Sequence, residues 1–252
     1  MMNTLHVIYV LWIRQLKKYV RSKSRMISSL GQPLLFLVAF WFGFGPIYQK
    51  AGGGNYLEFL VPGIIAMSII FTAIFTGIEI IWDRQFGFLK ETLVAPVSRL
   101  TIFMGKTLGG ATVSLIQGAI IFVIALIMGF KPTSVYLTLV AFLFMFLIGL
   151  LFTALGTAIA SMLEDMHAFP VIVNFLIMPL FFLSGALFPL EGLPKTITII
   201  SHFNPLSYGV DGLRATLTLT THFGMGLDFI LLLGSIAVIS AIGAYLFSRI
   251  EV

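Results

Sequence analysis

WDRQFGFLKETLVAPVSR, running from Trp82 to Arg99, is the stretch on which the reading of this chain turns. It holds Asp83, Arg84, Lys90, Glu91 and Arg99, with long apolar runs on both sides. Each Asp, Lys or Arg at the centre of a bilayer costs roughly 2.5–3.5 kcal/mol on insertion scales, so this island faces water. A helix from Asp83 through Leu93 is expected, carrying Phe86, Leu89, Lys90 and Leu93 on one side, with Pro96 as its stop. A plain polar loop has no need of Phe86, Phe88 and Leu89 in water. The island therefore reads as a docking surface.

Outward from the island, the chain is mostly oil. Of 252 residues, 59% are hydrophobic and only 10% charged, where a soluble domain carries about 25% charged residues. The deficit makes this an integral membrane protein, expected as a single domain over residues 1–252. The net charge of +5 lies beside apolar spans, which points to membrane topology and anionic lipid heads rather than nucleic acid. There is no cysteine, so disulfides, thiolate metal sites and thiol nucleophiles are excluded.

At about 20 apolar residues per crossing, the chain divides into six expected spans. They run over about 26–48, 57–82, 107–130, 135–163, 169–188 and 227–248. A flexible turn, Gln49 to Asn55, separates the first two. The long segment between the fifth and sixth is too apolar for an ordinary loop and too interrupted to cross. Two short helices that enter the outer leaflet and return would bury it, with Gly185, Gly192, Gly209 and Gly212 at the bends.

Basic residues set the orientation. Six precede the first span (Arg14, Lys17, Lys18, Arg21, Lys23, Arg25), four surround the island (Arg84, Lys90, Arg99, Lys106), and Arg249 joins them. Only Lys50, Lys131, Lys195 and Arg214 fall on the other side. The positive-inside rule then places both termini, the island and the turn at Glu164 in the cytosol. The leader does not read as a cleaved signal, because its charges follow its apolar stretch. Leu5, Ile8, Trp12, Leu16 and Tyr19 recur at helical spacing opposite Arg14, Lys17, Lys18 and Arg21, so an amphipathic helix in the membrane surface is expected there.

Chemistry is sparse. Gly105-Lys106-Thr107 ends like a phosphate-binding loop, but the glycine required five residues earlier is Leu100, and Gly105 with Gly109 is better explained by close helix packing. His6, His167, His202 and His222 have no metal-ligand spacing, and no catalytic set appears. Glu58, Glu79 and Asp228 lie near span ends, which gives little support to an ion-coupled relay. Gln117 and Asn174 sit within spans, where they contact substrate or bond a neighbouring helix; Phe71, Phe75, Phe175, Phe181 and Phe182 either line a path or meet lipid. Met178 joins Phe71, Phe75, Gln117 and Asn174 as a candidate for path lining.

Three places together resemble the permease subunit of type-2 ATP-binding-cassette exporters, a group of drug and of polysaccharide or lipid-linked exporters. They are the island DRQFGFLKETLVAPVSR, FLSGALFPLEGLP (Phe182 to Pro194) and NPLSYGVDGLRA (Asn204 to Ala215). The resemblance implies an all-α membrane protein of six transmembrane helices. Residues 1–25 would be an N-terminal interfacial helix, 83–99 a cytosolic coupling-helix loop and 189–226 an outer re-entrant segment. It implies a separate ATPase subunit in two copies, which binds ATP and Mg, while this chain carries no cofactor, metal or ATPase motif of its own. A second permease copy would form a homodimer in the inner membrane, surrounded by lipid. Asp83, Arg84, Gly87, Leu89, Leu93, Pro96 and Arg99 match the family pattern; Lys90, followed by Glu91, departs from it where an acid is commoner. Gly185, Pro189, Pro194, Asn204, Pro205, Tyr208, Asp211 and Arg214 would belong to an outer gate. The cargo is left open among an amphipathic drug, a lipid and a glycan, and a channel, secondary transporter or membrane scaffold is the alternative class.

Overall fold

The computed structural model describes residues 4–50, 52, 54–94, 97–190 and 194–250, with the side chains of Arg25, Leu93 and Val94 outside the description. Among these residues there is helix and no strand. The helices are α1 (Thr4–Arg21), α2 (Lys23–Lys50), α3 (Tyr56–Phe75), α4 (Ile78–Gln85), α5 (Phe88–Val94), α6 (Arg99–Ile127), α7 (Val135–Met162), α8 (Ala168–Phe182), α9 (Lys195–Phe203), α10 (Pro205–Thr218) and α11 (Met225–Ser248).

Among the described residues, five stretches are long and apolar enough to cross a membrane: Met26–Lys50, Tyr56–Gln85, Arg99–Ile127, Val135–Met162 and Met225–Ser248. The protein is a multi-pass membrane protein. The expected fifth span over 169–188 is shorter than that. Its helix, α8, has 15 residues, about 22 Å at 1.5 Å per residue against a hydrocarbon core of about 30 Å. After Phe182 the chain turns through Gly185, whose φ of +79° a side chain would resist. Ser184, Ala186 and Leu187 are then buried.

The core forms around α3. An unbroken apolar run from Leu60 to Met67 is buried on all sides, as a helix hydrophobic all round must be. It packs against α2, α6, α7 and α10, while α11 lies on α7 and α10. Local chemistry sets the helix starts: Asn55 accepts from the Leu57 N–H at 3.1 Å at the head of α3, and Ser98 from the Thr101 N–H at 3.2 Å at the head of α6.

The expected leader helix forms, and it has a partner within the chain. α1 runs along α6, where Gly105 and Gly109 leave room for it: added Cβ atoms would stand 2.8 Å from Leu11 Cβ and 2.7 Å from Gln15 Cβ. Trp12 Nε1 donates to Thr112 Oγ1 at 2.9 Å, and the Tyr19 hydroxyl donates to Gln117 Oε1. The small pair at Gly105 and Gly109 does serve close packing, with α1 as the partner.

Candidate functional site

The island is two helices joined at a glycine. α4 ends at Gln85, Gly87 takes φ +78°, and α5 begins at Phe88. The single helix expected from Asp83 through Leu93 breaks there because Gly87 adopts the left-handed backbone that closes a helix. The break separates two sets of residues. α4 carries groups that turn inward, and the start of α5 carries groups that turn out.

Inward, Asp83 and Glu79 lie one turn apart on one face of α4. Lys106 of α6 donates to Asp83 Oδ2 at 2.6 Å, and Arg14 of α1 stands 3.8 Å from Oδ1. Glu79 receives Lys18 Nζ and Gln15 Nε2, each at 3.0 Å. Two acids on α4 thus meet three cations and an amide from α1 and α6, and both acids are buried. Removing one member of such a set strands the other's charge, so the pairs hold α1, α4 and α6 in one arrangement.

Further ties reach α7 and α11. Arg84 meets Glu164 at 3.3 Å, and Gln85 Nε2 donates to the Glu164 carbonyl at 3.2 Å, so the island touches the turn after α7. Arg99 donates to the Ser248 carbonyl at 2.5 Å and the Ile250 carbonyl at 2.8 Å, capping the C-terminal end of α11. Asp83, Arg84 and Arg99, which the resemblance gives to the coupling region, are therefore engaged within the chain.

Outward, Phe86 is 70% and Phe88 52% exposed, and Lys90 and Glu91 are exposed beside them. Leu89, at 1%, anchors α5 to the bundle. Of the expected apolar side, Leu89 faces in and Phe86 with Lys90 faces out; the side chain of Leu93 and all of Pro96 lie outside the described residues. Among the described side chains, α5 is anchored by Leu89, and Phe86 just before it with Phe88, Lys90 and Glu91 on it presents two phenylalanines and one charge of each sign to the outside.

At the opposite end, the predicted outer residues come together. Asn204 caps α10, accepting from the Leu206 N–H at 3.0 Å while its amide donates to the Leu180 carbonyl at 2.6 Å, and Pro205 occupies the first turn. Tyr208 donates to the His202 carbonyl at 2.5 Å. Asp211 accepts from Thr221 Oγ1 and the N–H groups of His222 and Phe223 at 2.8–2.9 Å. Arg214 lies over the Phe59 ring at 4.2 Å and donates to the Gly185 carbonyl at 3.0 Å. Pro189 borders the same pocket as Asp211 and Arg214, and Pro194 precedes α9.

The candidates for path lining divide. Phe71 and Phe75 line one cavity together with Trp82. Gln117 is buried against Tyr19, Asn174 is on the exposed face of α8 and Met178 is half-buried on α8. On the leader helix, Arg14 and Lys18 reach α4, Trp12 reaches α6, and Lys17 and Arg21 stay on the exposed face. Sequence reasoning missed the Glu79–Lys18 and Asp83–Lys106 pairs. The signal available for them was the i, i+4 spacing of the two acids beside an apolar span.

Residues 6–218 match the ABC-2 type transporter family. The chain is 32% identical over 214 residues to transport permease ycf38 of Cyanophora paradoxa, covering 82% of this chain and 72% of the relative. It is 30% identical over 204 residues to nodulation protein J of Rhizobium leguminosarum bv. trifolii (79% and 77%), and 27% identical over 231 residues to the inner membrane transport permease YadH of Escherichia coli K12 (87% and 88%). With five helices able to cross a membrane and a match over most of its length, the chain belongs to the ABC-2 type transporter family.

Proposed function

We propose that this chain is the membrane subunit of an exporter driven by a separate ATPase, with α5 as the element on which that ATPase acts. The observation that carries the reading is the projecting surface of Phe86, Phe88, Lys90 and Glu91 next to α4, a helix held by ion pairs to α1 and α6 and through Arg84 to the turn after α7. A surface loosely attached would absorb force; one braced by buried ion pairs passes it to the spans. ATP and Mg belong to the partner, two copies of which act on two permeases. Closure of the ATPase pair pushes both α5 helices and switches the permease interface from inward to outward access.

The remaining topology follows the same reading. α1, the island and both termini face the cytosol, and α8 with the buried turn after it completes a sixth crossing. α9 and α10 form the outer re-entrant pair. Asn174 is an amide on an otherwise apolar exposed face that includes Val171 and Phe175. A polar group there is better placed against a second copy of the chain than against lipid. The cargo is an amphipathic molecule.

Phe88→Asp places a charge in the proposed contact without touching the buried pairs. Co-purification of its ATPase subunit is expected to fall about ten-fold or more, as loss of a central aromatic anchor does, with the variant's elution and melting unchanged. Undiminished co-purification by a folded Phe88→Asp variant would refute the docking role.

A further inference from the structure

A cavity of about 400 Å³ lies where the end of α1, the first turns of α2, α3, α4 and α6 meet. Its size is within the range of about 300–1,000 Å³ usual for small-molecule sites. One wall is aromatic, built from Phe71, Phe75 and Trp82. The facing wall is α2, and it is polar in a specific way. Pro33 has no N–H to give the Ser29 carbonyl one turn back, so that carbonyl lacks its helical donor. Gln32 brings a side-chain amide to the same wall. Counted from Met26, where the first apolar stretch begins, Ser29 lies about 4.5 Å and Gln32 about 9 Å along the helix. A carbonyl without its helical donor and an exposed amide offer a ligand two hydrogen-bonding positions beside the aromatic wall.

We propose that this cavity binds a small uncharged amphiphile with an aromatic ring system. The ring lies among Phe71, Phe75 and Trp82, and a donor on the ligand reaches the Ser29 carbonyl and Gln32. None of the described residues lining the cavity is charged, so an ionic head has no counter-charge there. An acyl chain would fill the space without using the polar groups that α2 brings to it. Trp82 and Ile78 come from α4, the helix that carries Glu79 and Asp83, so a bound ligand touches the braced element directly. As the loading site of an export path, the cavity rests on the exporter reading above and names its class of cargo. As a binding site it stands without it.

The test uses the full permease alone in phosphatidylcholine nanodiscs, with no ATPase present, so its failure is distinct from failure of the docking experiment. The probes are an uncharged naphthyl carboxamide bearing a diazirine and, separately, a diazirine-tagged phosphatidylcholine. On illumination the naphthyl probe is expected to label peptides containing residues 28–33 and 71–82 saturably, in competition with the untagged carboxamide. Ser29→Phe, which fills the polar side, is expected to weaken that labelling about ten-fold. Thr72→Leu on the other wall reads the same effect if Ser29→Phe does not elute as a folded species. Labelling that is non-saturable, or that neither variant changes, overturns the proposal. So does equally strong, saturable labelling of the same peptides by the phosphatidylcholine probe, which would make this a lipid crevice.

Discussion

Lys106→Met is expected to destabilise the purified permease by about 3–5 kcal/mol, the usual cost of breaking a buried ion pair from one side. Both partners are largely withdrawn from solvent, with side-chain exposures of 14% for Lys106 and 12% for Asp83. Arg14 is too far to take over: it is 48% exposed and 3.8 Å away, where water screens it. With Lys106 gone, Asp83 is buried one turn from Glu79, and the two acids repel. Adding Asp83→Asn removes the stranded charge and is expected to recover most of the loss. Denaturation of the single and double variants in one detergent checks both. A single variant less than about 1 kcal/mol below the parent would mean that the pair is not the brace.

The second large effect is expected where α7 crosses the junction of α3 and α4. A Cβ at Gly156 would stand 2.5 Å from the Ile74 carbonyl oxygen, and one at Gly77 would stand 2.4 Å from the Gly156 backbone. Both collisions are with backbone, so no side chain can swing aside. The smallest change, Gly156→Ala, must push the helices apart. That costs about 1–3 kcal/mol or more and shifts the base from which α5 projects. Gly234→Ala is the control, since a Cβ there meets nothing within 4 Å on α11. It is expected to be neutral or slightly stabilising through helix propensity. Gly156→Ala with the melting temperature and elution of Gly234→Ala would contradict the packing described.

Where the chain gives a local signal, sequence and structure agree. Apolar run length and charge deficit carry the all-helical membrane class and the expected spans 26–48, 135–163 and 227–248 closely; the span 57–82 comes as two helices, α3 and α4, and that expected over 107–130 begins at Arg99, eight residues earlier, and ends at Ile127. Hydropathy does not show where the helix of the fifth span stops: the residues beyond Phe182 stay apolar, but after Gly185 the backbone is no longer helical, and Ser184, Ala186 and Leu187 are buried. Periodicity finds α1 but not its partner, because the groove along α6 that receives it is set by Gly105 and Gly109, nearly a hundred residues away. The island's charges were legible as water-facing or paired, and spacing cannot separate those fates. Asp83 and Arg99 are satisfied within the chain, while Lys90, the family departure, is on the exposed surface with Phe86 and Phe88.

Because the chain has no cysteine, a single one introduced at Phe86 reports its neighbour without background. The most direct measurement is cross-linking of Phe86→Cys permease to its ATPase subunit in native membranes, beside Lys131→Cys at the opposite end of the bundle. The account predicts an adduct of permease and ATPase from Phe86→Cys, responsive to ATP, and none from Lys131→Cys. Cross-linking from Lys131→Cys with none from Phe86→Cys would invert the orientation and remove α5 as the docking element.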